Sequence, residues 1–269
     1  WMKPDKAGMY DLFSKYDIQK LHTLSSSQTN KTFGFHVQTP TCYFLLTKRE
    51  NEGKIELYDS LPNKYITFKL HKNIPIPLDF SSIINKFLKL TNKYGRLDVI
   101  KTNLPKKGVK IIEHPNVKFP FKNVKTTTLN KNKAPELQIR YSNEELPFNN
   151  QPKIIMGHKM YGFPYIDKEG SYGICSRDNY VIINKELKEL ELIKEFLSTE
   201  VILFVFETTR YRMRYLEKYV FEFIPDFSKI DDCWNMFDNN NVDIYKLFGI
   251  TKEEKEFIKN YYKIKYKYF

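Results

Sequence analysis

Cysteine is scarce in this chain. Three are present, Cys42, Cys175 and Cys233, far apart and with no C-x-x-C pair, and the five histidines are scattered. That spacing excludes the common structural zinc arrangements and offers no disulfide framework. A reduced, intracellular and cytoplasmic setting is therefore expected, or a virus factory or virion for a viral chain. Cys42 and Cys175 have no histidine at a telling spacing and are expected to be buried thiols. Long apolar runs are lacking as well. The longest, at 201–206, falls far short of the roughly 20 residues that span a bilayer, and no signal-peptide pattern is present. No membrane partner is expected. The chain also has no P-loop, no G-x-G-x-x-G turn, no G-x-S-x-G elbow and no H-E-x-x-H pair. These absences remove the usual starting points for nucleotide hydrolysis, dinucleotide binding, serine hydrolysis and zinc peptidase chemistry. No catalytic residue, metal ligand or cofactor-binding residue is assigned.

What is present is positive charge and aromatic rings. Lys and Arg total 44 against 32 Asp and Glu, a net charge of +12 over 269 residues. An anionic partner is the default expectation, nucleic acid before an anionic membrane. Tyr and Phe number 19 and 21. Many of these belong in a core, but the tyrosines are too many to be core alone. The chain opens on Trp1 rather than methionine, which is the expectation for a processed chain or a fragment.

Hydrophobic periodicity gives an α+β reading. Residues 9–24 are expected to form a short helix, 25–30 a loop, and 33–47 two strands with a turn at 38–40. The second of these strands, at 41–46, is nearly all apolar and is expected to be buried on both faces. Glu50 to Gly53 has the composition of a hairpin turn. Residues 54–58 and 65–70 alternate with period two, as half-buried strands do. Ser81 or Ser82 is expected to cap a helix that runs to Tyr94 and stops at Gly95. From 100 to 152 the chain turns lysine-, asparagine- and proline-rich, which predicts a loop-rich connector with short strands at 109–112 and 137–141. Beyond it come a small antiparallel sheet over 153–183, a helix over 186–197, a longer helix over 200–216, an extended stretch at 220–226, and helices at 243–248 and 251–262. Thr251 and Glu254 have capping-box spacing. Asp231 and Asp232 are expected in a loop, as a cap or solvated.

The stretch 208–215 alternates Arg210, Arg212 and Arg214 with Tyr211, Met213 and Tyr215. Guanidinium groups bind phosphates and guanine edges in pairs of hydrogen bonds, and tyrosines offer a stacking face. On a helix continuing from 200, Arg210 and Arg214 share one face at i and i+4, and Tyr211 and Tyr215 share the next. Arg210 and Arg214 are therefore the expected DNA-facing pair, with Arg212 expected to pair with Glu207 or Glu217. The bland alternative is an amphipathic helix whose arginines face water. In the small sheet, Lys153, His158, Lys159, Tyr161, Tyr165 and Arg177 complete the expected DNA-binding set.

The runs Pro152-Lys153-Ile154-Ile155-Met156 and Tyr165-Ile166-Asp167-Lys168-Glu169-Gly170-Ser171-Tyr172-Gly173, followed by 206–226, resemble the C-terminal target-recognition region of TaqI-like adenine-specific DNA methyltransferases of the restriction-modification and giant-virus kind. At the front, Trp1-Met2-Lys3-Pro4 with Tyr10-Asp11-Leu12-Phe13 resembles the segment after their catalytic loop, and the strand at 41–46 resembles a late strand of their sheet. The resemblance implies three regions. Residues 1–50 would be the end of a methyltransferase-type α/β domain, 51–150 a connecting region with strands, one helix and a basic loop, and 151–269 the recognition region.

The Asn-Pro-Pro-Tyr/Phe loop and the glycine-bearing loop for S-adenosylmethionine do not occur here. The resemblance thus implies double-stranded DNA as partner, with the missing motifs either in the rest of an enzyme of which this is a fragment or on a second chain of a split enzyme. It also implies S-adenosylmethionine as a cofactor of the completed enzyme only, and no methylation by this chain alone. The complete enzyme would flip the target adenine out of the duplex for methylation at its amino nitrogen. Two other readings stand beside it: a non-enzymatic nucleic-acid-binding or packaging protein derived from such a methylase, and a nuclease whose site has no recognisable motif.

Overall fold

The first sheet is built around a strand that the sequence disguises as a helix. The computed structural model describes residues 1–269 apart from 5, 35, 132–134, 160–163, 213–214, 240–242 and 266–269. Helix α1 (Met9–Phe13) ends early, and β1 (Tyr16–Leu24) takes the rest of the expected helix. Ile18 and Leu21, three residues apart, are both fully buried, a spacing that suggests a helix. A register shift between Ile18 and Lys20 turns both inward from a strand instead. The expected loop after it is helix α2 (Ser26–Phe33), opened by a capping box. The Gln28 amide donates to Ser25 Oγ (3.3 Å) and the Ser25 amide donates to Gln28 Oε1 (2.8 Å).

The two strands expected over 33–47 reduce to one, β2 (Thr41–Glu50). With β3 (Lys54–Asp59) and β4 (Lys64–Lys69) it completes a sheet of order β2-β1-β3-β4. β1 runs antiparallel to β2 and parallel to β3. As an edge strand β2 is not buried on both faces: Phe44 and Leu46 pack inward, whereas Tyr43 and Leu45 are 55% and 54% exposed. The turn after Glu50 is likewise not a hairpin, because β2 and β3 are separated by β1. Asn51 carries the chain past the start of β1. Its amide donates to the Lys15 carbonyl (3.0 Å), its Nδ2 to the Tyr16 carbonyl (3.0 Å), and its Oδ1 accepts from the amides of Gly53 (2.6 Å) and Lys54 (3.1 Å).

Helix α3 (Ser81–Tyr94) packs on this sheet. Its cap is not a serine. Phe80 takes a left-handed conformation, and the buried carboxylate of Asp59, from the end of β3, accepts from the Ser82 amide (2.7 Å) and Ser81 Oγ (3.4 Å). Gly95, at φ 81°, ends the helix as expected.

The lysine-rich connector is largely strand. It holds β5 (Ile100–Lys101), β6 (Ile111–Ile112), β7 (Phe121–Leu129) and β8 (Pro135–Ser142). β7 and β8 pair along most of their length. Apolar periodicity misses β7 because two of its inward positions are polar: Asn123 donates to Ser142 Oγ (2.8 Å) and Thr127 Oγ1 accepts from the Gly157 amide (2.7 Å). β9 (Lys153–Gly157), β10 (Tyr165–Asp167), β11 (Gly173–Ile174) and β12 (Asn179–Ile182) follow. They do not form one small sheet. β10-β9-β12-β5 is one sheet, and β11 joins the other, β11-β7-β8-β6, by pairing parallel with β7.

β9 is buried throughout, because it lies between two cores. Ile154 and Met156 face the main core, while Ile155 meets Val124, Ile174 and Val181 in a second one against β7. Helices α4 (Leu187–Leu197) and α5 (Glu200–Thr209) cover the main-core side, joined by α6 (Asp231–Asn239), α7 (Ile244–Leu247) and α8 (Lys252–Lys265). Asp231 and Asp232 lie in the first turn of α6 rather than in a loop. Of the stretch expected to be extended at 220–226, the first part belongs to a short 3-10 helix over Lys218–Phe223, and Ile224 and Asp226 are extended. The Thr251–Glu254 capping box is present. The protein is α+β, and its main core is continuous from Met2 to Ile258. The expected boundary at 50/51 falls between two strands of one sheet, and across the one at 150/151 β7 pairs with β11.

Candidate nucleic-acid interface

The geometry expected of the arginine stretch does not occur. Helix α5 ends at Thr209, and Arg210 is extended at φ −83°, ψ 143°. Two threonines in the last turn direct their hydroxyls back onto the helix: Thr208 Oγ1 donates to the Phe204 carbonyl (2.9 Å) and Thr209 Oγ1 to that of Val205 (2.6 Å). Arg210 is buried and donates through Nη2 to Glu207 Oε1 (2.7 Å), the carboxylate expected to pair with Arg212. Glu217 is taken by the Tyr211 amide (2.7 Å) and by Lys3 (3.2 Å). The Tyr211 hydroxyl donates to the Met2 and Ile76 carbonyls, stitching the first residues to the core, and burial pushes its pKa well up. Arg210 and Tyr211 are therefore structural. Arg212 is exposed. Arg214 lies outside the described residues.

Lys153 is also internal. It is completely buried, pairs with an equally buried Asp167, and donates to the Gln151 carbonyl (3.2 Å). Burial pushes its pKa down. The same carboxylate accepts from the amides of Ser171 (2.9 Å) and Tyr172 (3.2 Å), so the pair holds the turn at Gly170. That glycine sits at φ 70°, and a Cβ there would lie 2.4 Å from the Gln151 amide nitrogen. Tyr165 is half-buried against the second core, its pKa raised chiefly by that burial and then by Tyr172. Tyr161 lies outside the described residues.

The remaining expected residues do meet. At the end of β9 the His158 amide donates to the Asp178 carbonyl (2.7 Å), and the His158 carbonyl accepts from the Leu216 amide (2.6 Å). Three segments converge there: the ends of β9 and β12 and the chain leaving α5. Lys159 bridges to Tyr215, and the His158 ring stacks on the Tyr215 ring at 4.9 Å and 26°. Behind them the buried Tyr180 hydroxyl donates to the Leu216 carbonyl (2.9 Å). Lys101, paired with Tyr180 across β5 and β12, places its ammonium 4.2 Å over the Tyr180 ring.

Lys159, Arg177, Asp178 and Tyr215 are exposed, and Lys101 and His158 are half-buried. The result is a surface with three basic side chains, Lys101, Lys159 and Arg177, and one carboxylate around a stacked His–Tyr pair. Burial lowers the Lys101 pKa from 10.5 to about 8, with Arg177 adding to the shift and Asp178 opposing it. Burial, and then Lys101, also lower that of His158.

Lys101 and Asp178 were missed from the sequence. Lys101 lies in a two-residue strand inside the apparent connector, and only strand pairing reveals it. Tyr215 lies not on the helix expected over 200–216 but six residues beyond its end at Thr209. Among the described residues, no three His, Cys, Asp or Glu side chains gather as metal ligands, and no helix is long and apolar enough to cross a membrane. Cys175 and Cys233 are buried, and burial pushes the Cys175 thiol up to about 11 and the Cys233 thiol to about 12. Against known proteins, no family model and no curated relative matches this chain.

Proposed function

We propose that this chain grips duplex DNA as the target-recognition part of an adenine-specific DNA methyltransferase. The single observation carrying the DNA-binding part is the gathering of Lys101, His158, Lys159, Arg177 and Tyr215 on one surface formed by the ends of β9 and β12 and the chain after α5. Exposed Lys159 and Arg177 suit phosphates, and a long-range field of +12 draws the polyanion in. The Tyr215 ring, backed by His158, presents one wall to a sugar or base edge. The methyltransferase part rests on the sequence resemblance alone.

In this reading the chain supplies grip and register, phosphate contacts set its affinity, and a few side chains read base edges. The catalytic loop and the glycine-bearing loop for S-adenosylmethionine lie outside this sequence, in the rest of a longer protein or in a second chain, and no residue here is assigned to the cofactor. The test has two stages. Purified protein titrated with a labelled duplex should bind with salt-dependent affinity and a preference among sequences, and Arg177→Ala should weaken binding. Adding a chain that carries the missing motifs should then yield methylated adenine. Binding unaffected by Arg177→Ala and Lys159→Ala together would remove the proposed surface. Duplex binding with no sequence preference and no partner-dependent methylation would leave a non-enzymatic DNA-binding protein.

A further inference from the structure

The outward face of the first sheet carries an aromatic row that duplex binding does not use. Strand register places Tyr43 of β2, His22 of β1, Tyr58 of β3 and Tyr65 of β4 side by side across all four strands. The His22 ring stacks on Tyr43 at 4.8 Å and 23° and on Tyr58 at 4.0 Å and 8°. Tyr65 closes the row edge-on to Tyr58, at 5.6 Å and 72°. The stack therefore ends at Tyr43, on the edge strand, where the ring is 55% exposed and no described ring covers its outer side.

Cations follow the row. Lys20, one strand position from His22 on the same face, holds its ammonium 5.2 Å over the Tyr65 ring. Lys54 and Lys69, opposite each other in register, lie further along the face and are exposed, Lys54 beside Glu52 in an exposed ion pair (3.0 Å) that a phosphate would have to replace. The carboxylates on this side are already engaged. Asp17 is held by Arg49 (2.7 Å), and Glu56 accepts from Thr67 Oγ1 (2.7 Å).

We infer that this face binds single-stranded nucleic acid, with an unpaired base continuing the stack on Tyr43 and the backbone phosphates running along Lys20, Lys54 and Lys69. Rings on a sheet face take bases of any sequence, because every base has a π-face, and flanking lysines track the backbone. The ligand must be unpaired, because inside a duplex each base is already covered on both sides and has no face to offer Tyr43. A polyanion fits better than an apolar protein surface: past Leu45, the positions next to the row are Lys20, Glu56 and Thr67. The face belongs to a different sheet from the duplex surface, so the two proposals fail separately.

The experiment is fluorescence anisotropy on the full chain with oligothymidine and oligouridine of roughly 12 nucleotides, a length within the range such platforms cover, and with a duplex as control. Tyr43→Ala should weaken single-strand binding by about 5- to 150-fold, the effect of losing one stacking partner. Tyr43→Phe should retain it, and duplex binding should not change in either variant. The ratio of the two single-strand arms tells DNA from RNA. Because Tyr43 is exposed on an edge strand, the variants should melt like the parent protein, which a thermal scan checks. Absence of binding in both arms overturns the inference, as does equal binding by Tyr43→Ala and the parent, or an equal loss in Tyr43→Phe. Arg177→Ala should leave the single-strand arms unchanged.

Discussion

Two groups of cations in this protein have the same composition and opposite surroundings. Lys153 and Arg210 are buried, each against its own carboxylate, and Lys159 and Arg177 stand exposed at the end of a sheet. The buried pair hold the interior together: Lys153–Asp167 fixes the Gly170 turn, and Arg210–Glu207 fixes the exit from α5. The exposed pair have no such duty and are available to an anion. A high count of lysine and arginine therefore identifies a class of partner, while burial decides which cations meet it.

That contrast is sharpest at Lys153. Lys153→Met leaves the Asp167 carboxylate buried with two backbone amides and no countercharge, and should cost about 3–5 kcal/mol of stability in denaturant titration. The double variant Lys153→Met/Asp167→Leu should recover most of that loss, since both charges then leave the interior together. Arg210→Met is next, at about 3 kcal/mol, because Glu207 keeps other partners, among them the Tyr261 hydroxyl at 3.4 Å. At temperatures where the variant is folded its duplex affinity should match the parent. A loss of affinity without a loss of stability would return the arginine stretch to the binding surface.

The exposed cations should behave in the reverse manner. Arg177→Ala and Lys159→Ala should leave melting unchanged and flatten the plot of log affinity against log salt by about 0.9 for each phosphate contact removed. The smallest effect is a pH dependence. With its pKa lowered to about 8, Lys101 loses its charge between pH 7 and 9, where ordinary lysines keep theirs. Duplex affinity should decline over that interval in the parent and hold in Lys101→Arg. The stability linkage has the opposite sign. The unfolded chain binds the Lys101 proton more tightly than the folded one, so this residue destabilises the fold below about pH 8, and the penalty fades as pH rises toward 10.5. Binding and stability should thus move in opposite directions on adding alkali.

The sequence was legible where local signals agree with packing. The capping box at Thr251 and Glu254, the stop at Gly95 and the alternation of β3 and β4 all survive in the structure. It misled where a tertiary feature reverses a local one. A bulge turned Ile18 and Leu21 into a strand pattern of helical spacing, and polar inward positions hid β7. Helix α5 ends before its arginines, because Arg210 turns extended and its guanidinium is tied back to the buried Glu207. Of the expected site, His158, Lys159 and Arg177 came together, because a helix end and two strand ends meet beside them. Their neighbour Lys101 depended on pairing across residues far apart in sequence, and the row through His22 needed four strands in register before it existed at all.

The short link at Asn51 has a consequence for how the protein assembles. It joins β2 to β3, yet the two are held apart by β1, which precedes them both. No hairpin can zip from that link, so β2 has no partner in the sheet until the earliest strand is seated, whereas β3 pairs with β4 on its own side. The first sheet is in this sense closed by its oldest piece, and trimming the chain from the front should not erode it gradually. A ladder of front-end deletions should keep cooperative melting until β1 is breached and then lose the β2 half of the sheet in one step, leaving the β3–β4 pairing.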